Sequence, residues 1–160
     1  MKIEEISLNK ENLLKIEKID NTFYTNAITG INWYTERYNE NHKGIVLTDN
    51  DNIVGYIVAV PIKKPLYDAI INGVIINDIN INPKMFVNKS NYKYIVSCVI
   101  LEKYRNQGYA TKMMKKLFAE GHGKYCALTI SQDGYNLASK FMKLKSNICQ
   151  GIDVFVKEIN

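Results

Sequence analysis

The stretch Ile100–Phe118, ILEKYRNQGYATKMMKKLF, is where an apolar strand gives way directly to a helix. The backbone N–H groups that open a helix lack partners within it and carry partial positive charge, so they form a ready anion site. Gly108 has no side chain and permits a positive φ, which can leave the loop backbone open to a phosphate. Arg105 can donate paired hydrogen bonds to phosphate oxygens. We therefore predict a site for a pyrophosphate-bearing ligand at this junction.

Close packing alone can also explain small residues at a strand–helix turn, and that interpretation stays open. The P-loop pattern G-x-x-x-x-G-K-[ST] and the dinucleotide pattern G-x-G-x-x-G are both absent from the chain. The pattern that does match is [QR]-x-x-G-x-[GA], over residues 105–110.

The composition of the 160 residues indicates one globular domain, residues 1–160, with 46% hydrophobic residues and a net charge of +5. This mildly positive net charge favours an anionic ligand. The sequence matches no nucleic-acid-binding motif. Cys98, Cys126 and Cys149 have no metal or redox spacing, and His42 and His122 lie far apart, so we predict no metal site. No apolar run reaches the ~20 residues of a membrane span, and we expect a cytoplasmic protein without a membrane partner.

Hydrophobic periodicity predicts a mixed α/β order outward from the junction. An alternating strand opens the chain, followed by a helix capped by Asn9 and a second helix starting near Ile31. A hairpin turns at Asp49–Asn52, and Gly55 marks a bulge. The other predicted elements are an insertion at about 63–91 with a short helix between Pro65 and Gly73, a buried strand at 92–101, a helix at 111–120, a strand at 125–131, an amphipathic helix at 135–145 and a closing strand at 151–159.

The buried strand IVSCVI, the Tyr104-Arg105 pair, the match over 105–110 and the following helix resemble the GNAT superfamily of acyl-CoA-dependent N-acyltransferases. The element order fits this family across nearly the whole chain. The resemblance implies a GNAT-like fold, with a central mixed sheet, two splayed parallel strands and flanking helices. It also implies acetyl-CoA as co-substrate and no metal.

The resemblance implies where coenzyme A binds. The pyrophosphate would lie on the loop Asn106, Gln107, Gly108, Tyr109, Ala110 and Thr111, beside Arg105. The pantetheine arm would pair with the backbone of Cys98, Val99 and Ile100, where the strand splays from YCALTIS. A backbone N–H near Val99 or Ile100 would polarise the thioester carbonyl, although the same three side chains also suit an ordinary core.

The catalytic pattern of the family is incomplete in this chain. A Tyr that protonates the departing thiolate in the family aligns with Met142, which cannot donate a proton. Tyr135 falls at a family Asn position, with Asn136 beside it as a candidate cofactor contact. The two central strands carry no carboxylate, so Asp78 and Asp133 are candidates by proximity only, each with the role of an ordinary solvated acid as the alternative. Tyr135 is a candidate for a displaced acid, with packing or a contact to adenine as the alternatives.

These observations leave three functions open. The first is an N-acetyltransferase that acts on a primary amine of a small molecule or peptide by direct attack. The second is a non-catalytic acyl-CoA-binding sensor or interaction module, and the third, a nucleic-acid-binding domain, has no motif behind it. The resemblance makes Phe23, Tyr24, Trp33, Tyr34 and Tyr38 candidate walls of the acceptor pocket, with core packing as the alternative, and the insertion a candidate flap. A homodimer is a further expectation.

Overall fold

The computed structural model describes residues 1–23, 30–148 and 151–160. The predictions made for Tyr24 and Cys149 lie outside these residues. The elements are β1 (Lys2–Ser7), α1 (Lys10–Phe23), α2 (Ile31–Arg37), β2 (Lys43–Asp49), β3 (Asn52–Pro61), α3 (Lys64–Ile71), a 3₁₀ turn (Pro83–Met85), β4 (Tyr92–Ile100), a second 3₁₀ turn (Glu102–Tyr104), α4 (Tyr109–Ala119), β5 (Gly123–Thr129), α5 (Gln132–Ser139), β6 (Lys143–Ile148) and β7 (Ile152–Ile159).

Within the described ranges, the strands form a seven-stranded sheet in the order β1-β2-β3-β4-β5-β7-β6. The β4–β5 pair is parallel, with a register from Tyr92↔Lys124 to Ile95↔Ala127, while β5–β7 and β6–β7 are antiparallel. This mixed sheet with flanking helices confirms the predicted fold class.

The chain divides into two compact units. Unit 1 comprises Met1–Val58 and Ser97–Leu117, and unit 2 comprises Ala59–Val96 and Phe118–Asn160. The predicted coenzyme A residues from Cys98 to Thr111 therefore lie wholly within unit 1, and each unit is described by itself.

Unit 1 begins with β1, followed by α1, which starts directly after the predicted cap residue Asn9. Asn9 Oδ1 accepts the N–H of Asn12 at 2.9 Å, which satisfies one of the open donors of α1. Leu13, Ile16 and Ile19 are buried along one face, and α1 packs against α2.

The β2–β3 hairpin of unit 1 turns through Asn50 and Asp51, whose φ angles are +46° and +65°. Two positive φ angles are the requirement of a type I′ turn, and Asn and Asp tolerate them. The register then changes from Leu47↔Gly55 to Thr48↔Ile53, so the extra residue is Val54. The bulge predicted at Gly55 thus lies one residue earlier.

Unit 2 contains the segment predicted as an insertion, between β3 and β4. Pro65 stands in the first turn of α3, and Gly73 adopts a φ of +71° just after the helix. Leu66, Tyr67 and Ile70 are buried, and α3 packs on β5 and β7. This helix is part of the core of unit 2 and not a surface excursion.

The amphipathic helix predicted over 135–145 was wrong in its second half. The helix α5 starts earlier, at Gln132, where Ser131 Oγ accepts the N–H of Gly134 at 3.1 Å, and it ends at Ser139. Leu144, expected on the helix, belongs to β6, where half-buried and exposed residues alternate from Lys143 to Ile148. Because β6 pairs with β7, pairing overrides the helical spacing of Leu137, Phe141 and Leu144.

Among the helices in the described ranges, none has the length and apolar character needed to cross a membrane.

Candidate functional site

The strand–helix junction of unit 1 consists, in chain order, of the end of β4, a 3₁₀ turn and the start of α4. After β4, the 3₁₀ turn Glu102–Tyr104 reverses the chain, and Arg105 N–H donates to Glu102 C=O at 3.0 Å. The helix α4 then begins at Tyr109, two residues before the predicted Thr111, and Lys112 N–H donates to Gly108 C=O at 3.1 Å. The N–H groups of Tyr109, Ala110 and Thr111 therefore belong to the first turn, whose donors have no acceptor within the helix.

The backbone of the loop is left-handed at two points. Asn106 has a φ of +59° and Gly108 a φ of +77°. A Cβ added to Gly108 would meet no described heavy atom within 4 Å, so the space above this residue is open. The positive φ of Gly108 favours glycine, whereas packing does not require one, and the open space leaves room for a ligand at the helix N-terminus.

Arg105 is held toward the strand that precedes it. Its Nε donates to Ile100 C=O at 2.9 Å, and its guanidinium carbon lies 4.5 Å from the ring centroid of Phe23. The residue is exposed. Arg105 thus fixes the last carbonyl of β4 and brings a positive charge to the loop.

Tyr104 connects the junction to the hairpin of the same unit. Its hydroxyl donates to Asp49 Oδ2 at 2.7 Å. This hydrogen bond, with smaller contributions from burial and from the charge of Asp49, raises the pKa of Tyr104. The loop is therefore held from both sides, since Gln107 Nε2 also donates to Lys103 C=O at 3.1 Å.

The end of β4 packs closely on β3. A Cβ on Gly55 would lie 2.9 Å from Ile100 Cγ1 and 3.0 Å from Val99 O, so only glycine allows this approach. Val99 and Ile100 are buried and Cys98 is half-buried. Burial raises the pKa of the Cys98 thiol to about 12, so the thiol stays protonated near neutrality and is not a nucleophile.

The predicted catalytic candidates lie in unit 2. Tyr135 packs edge-on to Phe155, with 5.3 Å between ring centroids, which supports a packing role. Asn136 is exposed, and its Oδ1 accepts from Gln132 Nε2 at 2.9 Å. Asp133 is exposed in the first turn of α5.

Two other positions named in the sequence analysis, Asp78 and Met142, also lie in unit 2. Asp78 is half-buried, and its C=O accepts the N–H of Ile81 at 3.2 Å. Met142 is buried just after α5, where its N–H bonds Ala138 C=O at 2.8 Å. A thioether in this position cannot supply the proton that a tyrosine would.

Sequence reasoning missed a buried carboxylate in unit 1. Asp20 is only 7% exposed, and its two carboxylate oxygens accept hydrogen bonds from the hydroxyls of Tyr34 and Tyr56. Ser97 Oγ on β4 donates to Tyr56 Oη at 3.1 Å. The signal was present, because Asp20 follows Leu13 and Ile16 at seven and four residues and so falls on the buried face of α1.

The helix α2 supplies an aromatic cluster to unit 1. Trp33 lies 5.6 Å from Tyr34 and 5.9 Å from Tyr38, centroid to centroid, and both contacts are edge-on. The buried guanidinium of Arg37 lies 4.4 Å from the Trp33 centroid and 3.2 Å from a Glu36 oxygen. In this unit, Phe23 contacts Arg105, so the aromatic group is tied to the junction as well as to the core.

Within the part of the chain that the structure describes, no group of three or more His, Cys, Asp or Glu residues is arranged to hold a metal ion.

A model of the acetyltransferase (GNAT) family matches residues 12–143, which is most of the chain. No curated protein matches the sequence.

Solved structures share the fold at low sequence identity. The NAA60 protein of Arabidopsis thaliana, in complex with acetyl-CoA, aligns with a TM-score of 0.61 and 15% identity over 99% of this chain and 100% of its own. The diaminobutyrate acetyltransferase EctA of Paenibacillus lautus, with L-2,4-diaminobutyric acid and coenzyme A, has a TM-score of 0.63 and 12% identity over 98% and 95%. The GNAT-like decarboxylase GphF, with isobutyryl-CoA, has a TM-score of 0.72 and 9% identity over 100% of both chains.

Proposed function

The chain belongs to the acetyltransferase (GNAT) family, and from this premise we propose that it transfers an acetyl group from acetyl-CoA to the primary amine of a small molecule or peptide. Membership makes it an acyl-CoA-dependent N-acyltransferase. The amine nitrogen attacks the thioester carbon, a C–N bond forms, the C–S bond breaks, and coenzyme A leaves as a thiol after taking up a proton. The acceptor class, a cytoplasmic location and a homodimer stay predictions.

The open, left-handed loop at Gly108 is the observation that carries this proposal. The N–H groups of Tyr109, Ala110 and Thr111 lie in the first turn of α4, directly after this open position, and would hold the pyrophosphate. Arg105 adds positive charge beside them, and Asn106 and Gln107 complete the loop. Asn136, in unit 2, stays a prediction as a cofactor contact.

The edge of β4 indicates which backbone groups would pair with the pantetheine arm. Leu101 N–H donates to Val54 C=O at 2.9 Å, toward β3. N–H groups two residues apart point to the same edge of a regular strand, so Val99 N–H also faces β3. Ile100 C=O accepts Arg105 Nε, so Ile100 faces the other edge, and we infer the same edge for Cys98, two residues before it. This alternation does not extend to the start of β4, where Tyr92 C=O accepts from Ile62 N–H on the β3 side. Of the two oxyanion donors that the resemblance implied, this alternation favours Ile100 over Val99 and brings Cys98 into consideration.

The direction in which the coenzyme would run along β4 favours one of two backbone N–H groups, those of Cys98 and Ile100, as the donor to the thioester carbonyl. An arm that starts at the helix N-terminus and runs back along β4 reaches Ile100 before Cys98. The amides of pantetheine come before the thioester, so they would pair at Ile100. We therefore place the thioester carbonyl at the N–H of Cys98, where a positioned donor stabilises the developing oxyanion.

The direct test is release of the coenzyme A thiol from acetyl-CoA in the presence of primary amines. The panel contains L-2,4-diaminobutyrate, a polyamine and a peptide with an unblocked N-terminus, and mass spectrometry identifies the acetylated product. We expect amine-dependent thiol release with a one-to-one yield of amide. Coenzyme A binding without release on any of these amines would instead favour the non-catalytic acyl-CoA-binding module.

A further inference from the structure

The buried carboxylate of unit 1 is connected to β4 by a directional chain of hydrogen bonds. Ser97 Oγ donates to Tyr56 Oη, and Tyr56 Oη donates to one oxygen of Asp20. Tyr34 donates to the other oxygen and completes the support of the carboxylate from α2. The chain therefore begins at a half-buried hydroxyl on the strand and ends at a carboxylate that is 7% exposed.

A buried carboxylate needs a reason to be retained. Asp20 has α1, α2 and β3 around it, and apolar neighbours such as Ile16 and Ile19 fill the rest of its helix face. Removing a carboxylate from water costs several kcal/mol unless hydrogen bonds compensate, and two phenols supply that compensation here. A merely structural role would require only that the carboxylate be satisfied. The hydrogen bonds through Tyr56 to Ser97 exceed this requirement, because they connect the carboxylate to the residue of β4 that directly precedes Cys98.

We propose that Ser97, Tyr56 and Asp20 form a proton relay that deprotonates the acceptor amine. This inference rests on the proposed function and supplies the base that the central strands lack. The ammonium proton passes to Ser97 Oγ, the Ser97 proton passes to Tyr56 Oη, and the Tyr56 proton passes to Asp20. The amine becomes neutral and nucleophilic while Asp20 becomes a carboxylic acid, so charge and protons balance.

The position of Ser97 supports this assignment. It directly precedes Cys98, whose N–H we assign to the thioester carbonyl, and its side chain faces Tyr56. The groups that face Asp20 include the phenol of Tyr34 from α2 and the phenol of Tyr56 from β3. On α2, Arg37 lies one turn beyond Tyr34, stacked on Trp33 and paired with Glu36.

The experiment compares Tyr56→Phe with Tyr34→Phe. Both variants lose one phenol hydrogen bond to the same carboxylate, but only Tyr56 links Asp20 to Ser97. Acetyl transfer to the best amine of the panel is measured from pH 6 to 10, with kcat and the KM for acetyl-CoA determined separately. For Tyr56→Phe we expect about a 100-fold loss of kcat at pH 7, in the range of general-base catalysis. The loss should shrink tenfold per pH unit, because solvent then deprotonates the amine.

The Tyr34→Phe variant should keep the shape of the wild-type pH–rate profile. Ser97→Ala should behave as Tyr56→Phe does, with an unchanged KM for acetyl-CoA, and Ser97→Thr, which keeps the hydroxyl, should restore the profile. Parallel profiles for the wild type, Tyr56→Phe and Ser97→Ala would overturn the relay and leave the proposed function standing. A folded wild type without turnover on any panel amine would overturn both.

Discussion

Gly108 allows the phosphate prediction to be tested with one residue. Its Cβ position is open and its φ is +77°, so a side chain introduced there would project into the space assigned to the pyrophosphate. We expect Gly108→Glu to abolish acetyl-CoA binding, a loss of at least 100-fold in affinity, because a carboxylate would meet the phosphates and compete for the helix N–H groups. Isothermal titration calorimetry with acetyl-CoA measures this directly.

Gly151 provides a matched control for this substitution. It has a φ of +75° and, like Gly108, no described heavy atom within 4 Å of an added Cβ. Gly151→Glu therefore carries the same added charge and a similar left-handed strain of about 1–2 kcal/mol. It should lose stability but bind acetyl-CoA like the wild type. If the two variants bound acetyl-CoA with equal affinity, the assignment of the phosphate site to Gly108 would be wrong.

Single residues also show what the sequence alone could and could not predict. The small residues of the junction were interpretable because helix N-termini bind anions by a rule that needs no tertiary context. Asp20 was missed because its meaning depends on Tyr34, Tyr56 and Ser97, which come from three other elements. A local pattern cannot show that a carboxylate on an apolar face will meet two phenols.

At the scale of elements, local signals located the starts of α1 and α2, placed those of α4 and α5 two and three residues too late, and failed where strand pairing decides the outcome. The cap at Asn9 and the start of α2 at Ile31 follow from the sequence. In contrast, residues 143–148 carry apolar positions that continue the helical spacing of α5 but also alternate with period two. Their pairing with β7 selects the strand, and β7 lies further along the chain than any local window reaches.

The close approach of β3 to β4 gives a prediction at the same scale. Gly55→Ala would bring a Cβ to 3.0 Å from Val99 O and 2.9 Å from Ile100 Cγ1, and a backbone oxygen cannot move alone. We expect a loss of about 2 kcal/mol in the free energy of unfolding, measured by urea titration. Affinity for acetyl-CoA should fall as well, because the end of β4 shifts.

Gly44→Ala, in the same β2–β3 hairpin, is the matched control for Gly55→Ala. Its Cβ would meet Leu8 Cδ2 at 3.0 Å, the far end of a flexible side chain, and Ile57 O only at 3.5 Å. The cost should stay below about 1 kcal/mol, with unchanged affinity for acetyl-CoA. An equal loss in both variants would show that the β3–β4 approach has no special role.

The whole molecule has the fold of the acetyltransferase (GNAT) family, and its buried carboxylate, Asp20, lies on α1 and not on a central strand. The resemblance aligns the family's proton donor with Met142, and the central strands carry no carboxylate, whereas the buried Asp20 is connected to β4 through Tyr56 and Ser97. The order of elements could be predicted from periodicity, which explains why the fold was recognisable. The candidate acid–base groups could not be predicted from periodicity, because their hydrogen bonds depend on which helices and strands pack together.

Buried thiols and phenols make the stability of the whole chain sensitive to alkaline pH. Burial raises the pKa of Cys98 to about 12 and that of Tyr67 to about 12, and it also raises the pKa of Cys126. In the unfolded chain the thiols lose their protons near pH 9 and the phenol near pH 10, so above these values the folded state binds more protons. The free energy of unfolding should be flat below pH 9 and fall above it.

The expected slope is about 1.4 kcal/mol per pH unit for each thiol that stays protonated in the folded state. Urea titrations at pH 8, 9, 10 and 10.5 measure it. Cys98→Ala should lower the slope by the contribution of one thiol while changing stability at pH 8 only by a constant cavity term. A wild-type stability that is constant from pH 8 to 10.5 would contradict the burial of both thiols, because a thiol that reaches solvent ionises equally in the two states.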